Sequence, residues 1–217
     1  IRQYRRWNYK NVWDKCMSLI KLKNNALDNL TSFEGSASLG DMVLVSSATA
    51  SSSASIEFTS GIDSTYKEYK FFFINMHPAT DNTQFTFNLS SDGGSNYNVT
   101  KTTSYFDAYH DEAGSGATVR YLASSDLAQS TAYQPLGISV GNQNDESTSG
   151  IMHLFNPADT TFVKHFISRS NTYYSADYSV DTYVAGYGNT TSAVNAISFK
   201  FVSGNIDSGK ILMFGLN

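Results

Sequence analysis

Hydrophobic and polar residues alternate along most of this chain, in short runs that are separated by turn-forming residues. The densest run spans residues 61–81, where Phe71, Phe72 and Phe73 follow one another. Because successive side chains of a strand point to opposite faces, this run would carry large rings on both faces. A strand that is apolar on both faces is typical of the middle of a layered fold. We therefore predict a central strand here, with packed layers above and below it.

The same alternation predicts about a dozen short strands between residues 41 and 217. The run 46–55 contains only Ser, Ala and Thr, a composition typical of a flexible linker. Because this run leads directly into the alternating residues 56–59, we favour a flat strand with small side chains. No helical period separates the strands, which argues against a parallel sheet. The sequence predicts an all-β fold: an antiparallel β-sandwich, jelly-roll-like, with an N-terminal amphipathic helix.

The helix is predicted over residues 4–30, where apolar residues recur at spacings of three and four. We expect residues 1–40 to form an anchor or oligomerisation segment and residues 41–217 to form the β-sandwich domain. Residues 1–23 carry seven Lys or Arg and one Asp, whereas the rest of the chain carries eight basic and eighteen acidic residues. The helix would either dock on a partner or on copies of itself, or pack on its own domain. The candidate anchor residues are Trp7, Trp13, Ile20, Leu27 and Leu30.

Composition and charge limit the kinds of partner that we expect. The acidic body would repel phosphate, so we expect no nucleic-acid partner. The chain has no apolar run long enough to span a bilayer and no secretory signal pattern, and we expect no membrane partner. Aromatic residues make up 14% and charged residues 16%, which suits a β protein with polar loops. Cys16 is the one cysteine, which excludes an internal disulfide and a cysteine-rich metal site.

The chain contains residue types that are often catalytic, but they do not form a recognised catalytic motif. The four histidines show no HExxH spacing, and His153 and His165 could meet across a hairpin as metal ligands or as ordinary hydrogen-bonding groups. Glycosidases need two carboxyl groups across a sugar bond. The candidates for that role are Glu57, Glu68 and Glu146, with Asp107 or Asp177. Since none of them forms a recognisable cluster, we predict no catalytic, cofactor-binding or metal-binding residue and expect a protein that is not an enzyme.

Loop 141–150 leaves a calcium site open as an alternative. It carries oxygen ligands without the spacing of an EF-hand, and a solvated loop is the ordinary interpretation. The oxygen-bearing residues are Asn142, Asn144, Asp145 and Glu146.

A group of five tyrosines is the most suggestive surface feature. Tyrosine combines an apolar ring with a polar tip, which suits sugar stacking and protein interfaces as well as the core of a β protein. All three roles stay open at this point. The residues are Tyr173, Tyr174, Tyr178, Tyr183 and Tyr187.

Three stretches carry a resemblance to a known family. They are residues 50–90, which include IEFTSGIDSTYKEYKFFFINMHPATD, residues 132–166, which begin AYQPLGISVGNQNDESTSG, and residues 185–215, which end SGNIDSGKILMFG. Over about residues 42–217 the chain resembles virion structural proteins of tailed bacteriophages from marine and aquatic bacteria. The basic segment at residues 1–30 lies outside this resemblance.

The resemblance implies a β-sandwich component on the virion surface, assembled in the host cytoplasm: a capsid decoration protein, a head fibre or a tail appendage. We expect other virion proteins as partners and, through the N-terminal segment, further copies of the chain in a homo-oligomer, a homotrimer being the favoured form. The resemblance supplies no catalytic residues. The alternative function is a glycan-binding adhesion module that contacts a host surface glycan.

Overall fold

The computed structural model describes residues 42–217, which form an all-β fold with no helix among them. The predicted all-β class is confirmed. The predicted N-terminal helix, its anchor residues and the boundary between residues 40 and 41 lie outside the described residues. The strands are β1 (Met42–Ser53), β2 (Ile56–Phe58), β3 (Glu68–Pro78), β4 (Thr83–Ser90), β5 (Lys101–Asp111), β6 (Ala117–Tyr121), β7 (Gln134–Val140), β8 (Thr148–Phe155), β9 (Lys164–Tyr174), β10 (Tyr178–Gly188), β11 (Ala196–Phe201) and β12 (Ile206–Leu216).

The Ser, Ala and Thr run belongs to strand β1. Residues 46–53 of this run pair with β12 in antiparallel register, from Ser46 opposite Met213 to Ser53 opposite Ile206. The preferred interpretation as a flat strand is confirmed, and the linker interpretation is wrong for these residues. Small side chains are sufficient here because the backbone hydrogen bonds to β12 hold the strand in place.

All strand pairs are antiparallel, as predicted. One run of eight strands has the order β1-β12-β3-β8-β9-β10-β5-β6, and a second run of four has the order β7-β4-β11-β2. A single residue pair, Val140 opposite Tyr174, joins β7 to β9 and links the two runs. Strands β1 and β2 are also in contact, so the sheet curls back on itself and is nearly closed.

Phenylalanine rings fill the interior between the two runs. Phe199 of β11 is fully buried, and its ring centroid lies 5.4 Å from that of Phe71 and 5.1 Å from that of Phe73. Strand β3 forms no hydrogen-bonded pair with β11, so these contacts cross the interior. Phe199 also contacts Phe85 at 6.1 Å and Phe87 at 6.4 Å. One ring therefore connects the long run of strands with the short one.

Strand β3 lies in the middle of the long run, between β12 and β8. Phe71 and Phe73 are buried on its inner face, whereas Phe72 is half-buried on the other face and contacts Phe214 at 5.5 Å. The predicted central position is confirmed. The expected layer over the outer face of β3 is not found within residues 42–217, where Phe72 is shielded instead by Phe214 of the neighbouring strand β12.

Replacing Phe71 by Ala is expected to lower the free energy of unfolding by about 3–5 kcal/mol, the usual cost of deleting a fully buried ring. Phe72→Ala on the same strand is the matched control and should cost less than half as much, because that ring is only half-buried. Urea unfolding followed by fluorescence measures both. Equal losses for the two variants would contradict the one-sided burial of β3.

Candidate functional site

A pocket of about 260 Å³ opens at the end of the hairpin formed by β9 and β10. We call it the tyrosine pocket. Two of the five predicted tyrosines line it, together with residues from β5 and β6. The lining residues are Tyr109, Arg120, Tyr174, Ala176, Tyr178 and Val180.

Strand alternation places these rings together. Tyr174 and Tyr178 face each other across the β9–β10 hairpin, and Tyr109 of β5 lies opposite Val180. The Tyr178 ring is edge-on to the Tyr174 ring at 5.6 Å and to the Tyr109 ring at 5.4 Å. The turn closes with Asp177 at a φ of 64°, a conformation that Asp tolerates better than most residues. The three rings thus form a continuous wall of the pocket.

Arg120 is fixed in the pocket by a buried carboxylate. Its Nε and Nη2 donate to the two oxygens of Asp107 at 2.8 and 3.1 Å, and the Asp107 side chain is fully buried. The hydrogen bond to Asp107 raises the pKa of Arg120 above its ordinary value. The guanidinium carbon also lies 4.9 Å from the centre of the Tyr109 ring, a cation–π distance. Arg120 is therefore held rigidly, with Nη1 left free of Asp107.

The tyrosine hydroxyl groups of the pocket are available to bond with a ligand. Within residues 42–217, the hydroxyls of Tyr109, Tyr174 and Tyr178 form no hydrogen bond, and none is sealed from solvent. The pocket therefore combines apolar ring surface with three phenol groups and one guanidinium nitrogen. Such a surface can hold a small ligand that has both an apolar face and polar groups.

The other three predicted tyrosines lie on the opposite face of the same hairpin. Tyr173 donates to Asp177 at 3.3 Å, and desolvation together with Glu112 raises its pKa to about 12. Tyr187 packs against His165, and the Tyr183 ring stacks on Phe106. The five tyrosines therefore do not form one site: alternation sends two into the pocket and three to the outer face.

A row of apolar and aromatic side chains crosses the outer face of the long run of strands. Phe72 lies opposite Ile151, Ile151 opposite Arg169, Arg169 opposite Tyr183, and Tyr183 opposite Phe106. We call this set the outer row. The Phe106 and Tyr183 rings are parallel at 4.8 Å, and the Arg169 guanidinium lies 5.0 Å from the Tyr183 ring. Because these planar groups stack on one another, the ring edges rather than the ring faces project outward.

The histidines and carboxylates considered for catalysis lie in separate environments. His153 bonds to Glu68 of β3, while His165 packs against Tyr187, so the two histidines do not share a site. Asp107 is occupied by Arg120, Asp177 lies in the hairpin turn and Glu57 bonds to Ser55. In the part of the chain that the structure describes, no three His, Cys, Asp or Glu side chains are grouped as metal ligands.

Loop 141–150 separates its oxygen-bearing residues. Glu146 is buried against Gly141 and accepts the Gln143 N–H at 2.6 Å. Asn142, Asn144 and Asp145 are exposed. Because one residue of the set points inward while the other three are solvated, the loop does not present the four as one ligand set.

Two buried lysines flank Gly188 and were not singled out by the sequence. Lys101 and Lys164 lie opposite Gly188 from either side, and both are fully buried. Lys101 donates to the Asn88 side chain and to the Val99 carbonyl, and burial lowers its pKa to about 7. A depressed lysine pKa can mark a catalytic group. Here the amine is sealed in the interior, so its role is structural.

The pocket residues missed from the sequence are Tyr109 and Arg120. Tyr109 lies on β5 and Arg120 on β6, far along the chain from Tyr174 and Tyr178. They reach the pocket through the pairing of β5 with β10 and of β6 with β5. The alternation within residues 173–187 does separate the inward from the outward tyrosines and could have been used to divide the group.

Stability is expected to rise with pH between about 7 and 9.5 because of Lys101. Burial lowers the pKa of Lys101 in the folded state. The unfolded chain, with an ordinary lysine pKa of about 10.4, therefore binds more protons in this range. The gain should reach up to about 3 kcal/mol and should disappear in Lys101→Met. Denaturant unfolding at the two pH values measures it. Lys210→Met, at an exposed lysine, is the control and should keep the wild-type slope; the same slope in Lys101→Met would refute the assignment.

Comparison with known proteins finds no match: no protein-family model, curated protein or solved structure matches the chain. None of residues 42–217 belongs to a helix that is long and apolar enough to cross a membrane.

Proposed function

We propose that the chain is a non-enzymatic structural protein on the surface of a virus particle, built on a jelly-roll-like β-sandwich and anchored or oligomerised through residues 1–40. Its partners would be other particle proteins and further copies of itself, in a homotrimer. The single observation that carries this proposal is the order of the strands.

The hairpin strands β5, β6, β9 and β10 can be set aside as insertions. The eight remaining strands then fall into two sets, β1-β12-β3-β8 and β2-β11-β4-β7. When these eight strands are numbered 1 to 8 in chain order, the first set has the order 1-8-3-6 and the second set has the order 2-7-4-5. This is the order of a double Greek-key jelly roll, an architecture found in viral capsid and lectin domains. A fold hosts many functions, so this support is an analogy at the level of architecture.

Contacts across the interior support the two-layer arrangement. The Phe73 ring lies 5.2 Å from that of Phe85, and the Phe87 ring lies 4.9 Å from that of Phe166. Each pair joins a strand of the long run to a strand of the short run, without a hydrogen-bonded ladder between them. Facing sheets whose inner side chains interdigitate have this pattern.

The outer row supports a role in protein contacts. Phe106 of the row is 43% exposed and the neighbouring Ile167 of β9 is 47% exposed, on a sheet face that no described residue covers. Aromatic side chains and Arg are the residue types enriched at the centres of protein interfaces. An exposed sheet face that combines aromatic and aliphatic side chains with Arg169 is suited to contact with a neighbouring particle protein.

Quantitative mass spectrometry of purified particles tests the proposal, and the chain should be present at a fixed copy number. Phe106→Asp, which places a charge in the outer row, is expected to reduce incorporation at least tenfold. Phe162→Asp is the matched control, because Phe162 is exposed between β8 and β9 and lies off the outer row. Absence of the wild-type chain from particles would overturn the function, and equal incorporation of both variants would remove the outer row from it.

Deleting residues 1–30 is expected to abolish incorporation while leaving a cooperatively folded β domain. Thermal unfolding followed by circular dichroism should retain a single transition, because the aromatic core lies within residues 42–217. Light scattering measures the oligomer, with a trimer expected for the full chain. Unchanged incorporation of the shortened chain would contradict an anchoring role for this segment.

A glycan-binding function is the second candidate, and the tyrosine pocket favours it. Half-buried tyrosines with free hydroxyls next to a fixed Arg provide apolar and polar contacts together. Binding of the full chain to a glycan array above background tests this function.

A further inference from the structure

We propose that the tyrosine pocket binds one neutral pyranose ring of a surface glycan, with Tyr174 and Tyr178 as its main contact residues and Arg120 as a hydrogen-bond donor. This inference rests on the glycan-binding function named above and assigns it a site and a class of ligand.

The volume of the pocket is suited to a single sugar ring. Its volume is about 260 Å³, just below the range of roughly 300–1,000 Å³ typical of drug-sized ligands. A long apolar chain or a nucleotide would not be enclosed. One sugar ring, with further sugar units extending into solvent, matches this size.

The residues that line the pocket favour a ligand with both an apolar surface and hydrogen-bonding groups. Val180 is buried at the base and the Tyr174 and Tyr178 rings form the sides, so part of the wall is apolar. The free hydroxyls and Arg120 Nη1 supply hydrogen-bond donors and acceptors above it. A pyranose has an apolar C–H face and a rim of hydroxyl groups, and it complements both parts.

A cationic ligand is disfavoured because the pocket already holds its own cation. Aromatic groups that bind ammonium ligands do so through ring faces. The Arg120 guanidinium already lies over the Tyr109 ring, 4.9 Å from its centre. A second cation at this face would meet the positive charge of Arg120.

An anionic ligand is disfavoured by charge and by geometry. Strong carboxylate binding by Arg uses two parallel N–H groups, and Asp107 already accepts from Nε and Nη2. Asp111 follows on the same inner face of β5, opposite Tyr178, and is 9% exposed. Asp107, Asp111 and Arg120 together carry one net negative charge when all are ionised. A neutral polar ring avoids this repulsion.

The test titrates the full chain with methyl glycosides of glucose, galactose and mannose, with N-acetylneuraminic acid and with choline, using saturation-transfer NMR. At least one neutral glycoside should bind with a Kd on the order of 1 mM, and choline and the acidic sugar should not bind. Ala176→Trp should weaken binding at least tenfold, because it places a large ring at the pocket. Ala176 is exposed in the β9–β10 turn, so the substitution removes no packing contact. Tyr178→Ala should have a similar effect.

Tyr173→Phe is the matched control, because Tyr173 lies on the same hairpin and faces the opposite side. It should bind as the wild type does. Binding of only the acidic sugar or choline, or of no neutral glycoside, would overturn the assigned class of ligand. If Ala176→Trp binds a neutral glycoside as tightly as the wild type does, the assigned site is wrong.

A glycan array separates failure of this inference from failure of the function. If the full chain binds the array and Ala176→Trp binds it equally, the site is wrong while the glycan-binding function stands. If the full chain binds neither the array nor any glycoside, both are wrong.

Discussion

The packing of Phe199 against rings from both runs of strands is the contact on which the rest of the fold depends. The backbone ladder joins the two runs at only one residue pair among the described residues, Val140 opposite Tyr174. Phe199 contacts Phe71 and Phe73 on one side and Phe85 on the other, and all of them are buried. Burial of apolar area contributes about 25 cal/mol per Å², so this aromatic interior is the main source of cohesion.

Inward-facing positions become more polar away from that interior. Along β9 and its neighbours they hold Ser, Thr and Gln rather than Phe, and each polar group finds a partner. Thr148 bonds to Thr172 at 2.9 Å, and Gln134 accepts from Thr103 at 2.6 Å. Since an unpaired buried polar group costs about 1–3 kcal/mol, these paired bonds specify the register of the strands as well as adding stability. The same change in polarity continues to Asp107 and ends at the tyrosine pocket.

Local pattern was sufficient to predict the class of the fold, the number of strands and the central place of β3. Alternation is a short-range property, and each strand carries it independently of the others. Residues such as Arg120 and Tyr109 could not be placed next to Tyr174, because that contact depends on which distant strands pair. The expectation of a layer on both faces of β3 failed for a related reason: consecutive phenylalanines indicate apolar faces, but they do not show whether a neighbour such as Phe214 shields one of them.

Eight strands, β1–β4, β7, β8, β11 and β12, and two hairpins, β5–β6 and β9–β10, contribute differently to the structure. The aromatic interior lies mainly on the eight strands, whereas the tyrosine pocket and the Phe106–Tyr183 stack lie on β5, β6, β9 and β10. Because the hairpin strands continue the long run by hydrogen bonding, they are held in place without contributing most of the core. Their inner face extends to a margin where water can reach it, so polar rings and a fixed Arg are stable there. In many proteins a rigid scaffold positions binding residues on segments outside its core. Under the proposed function, the outer row and the tyrosine pocket would contact different partners.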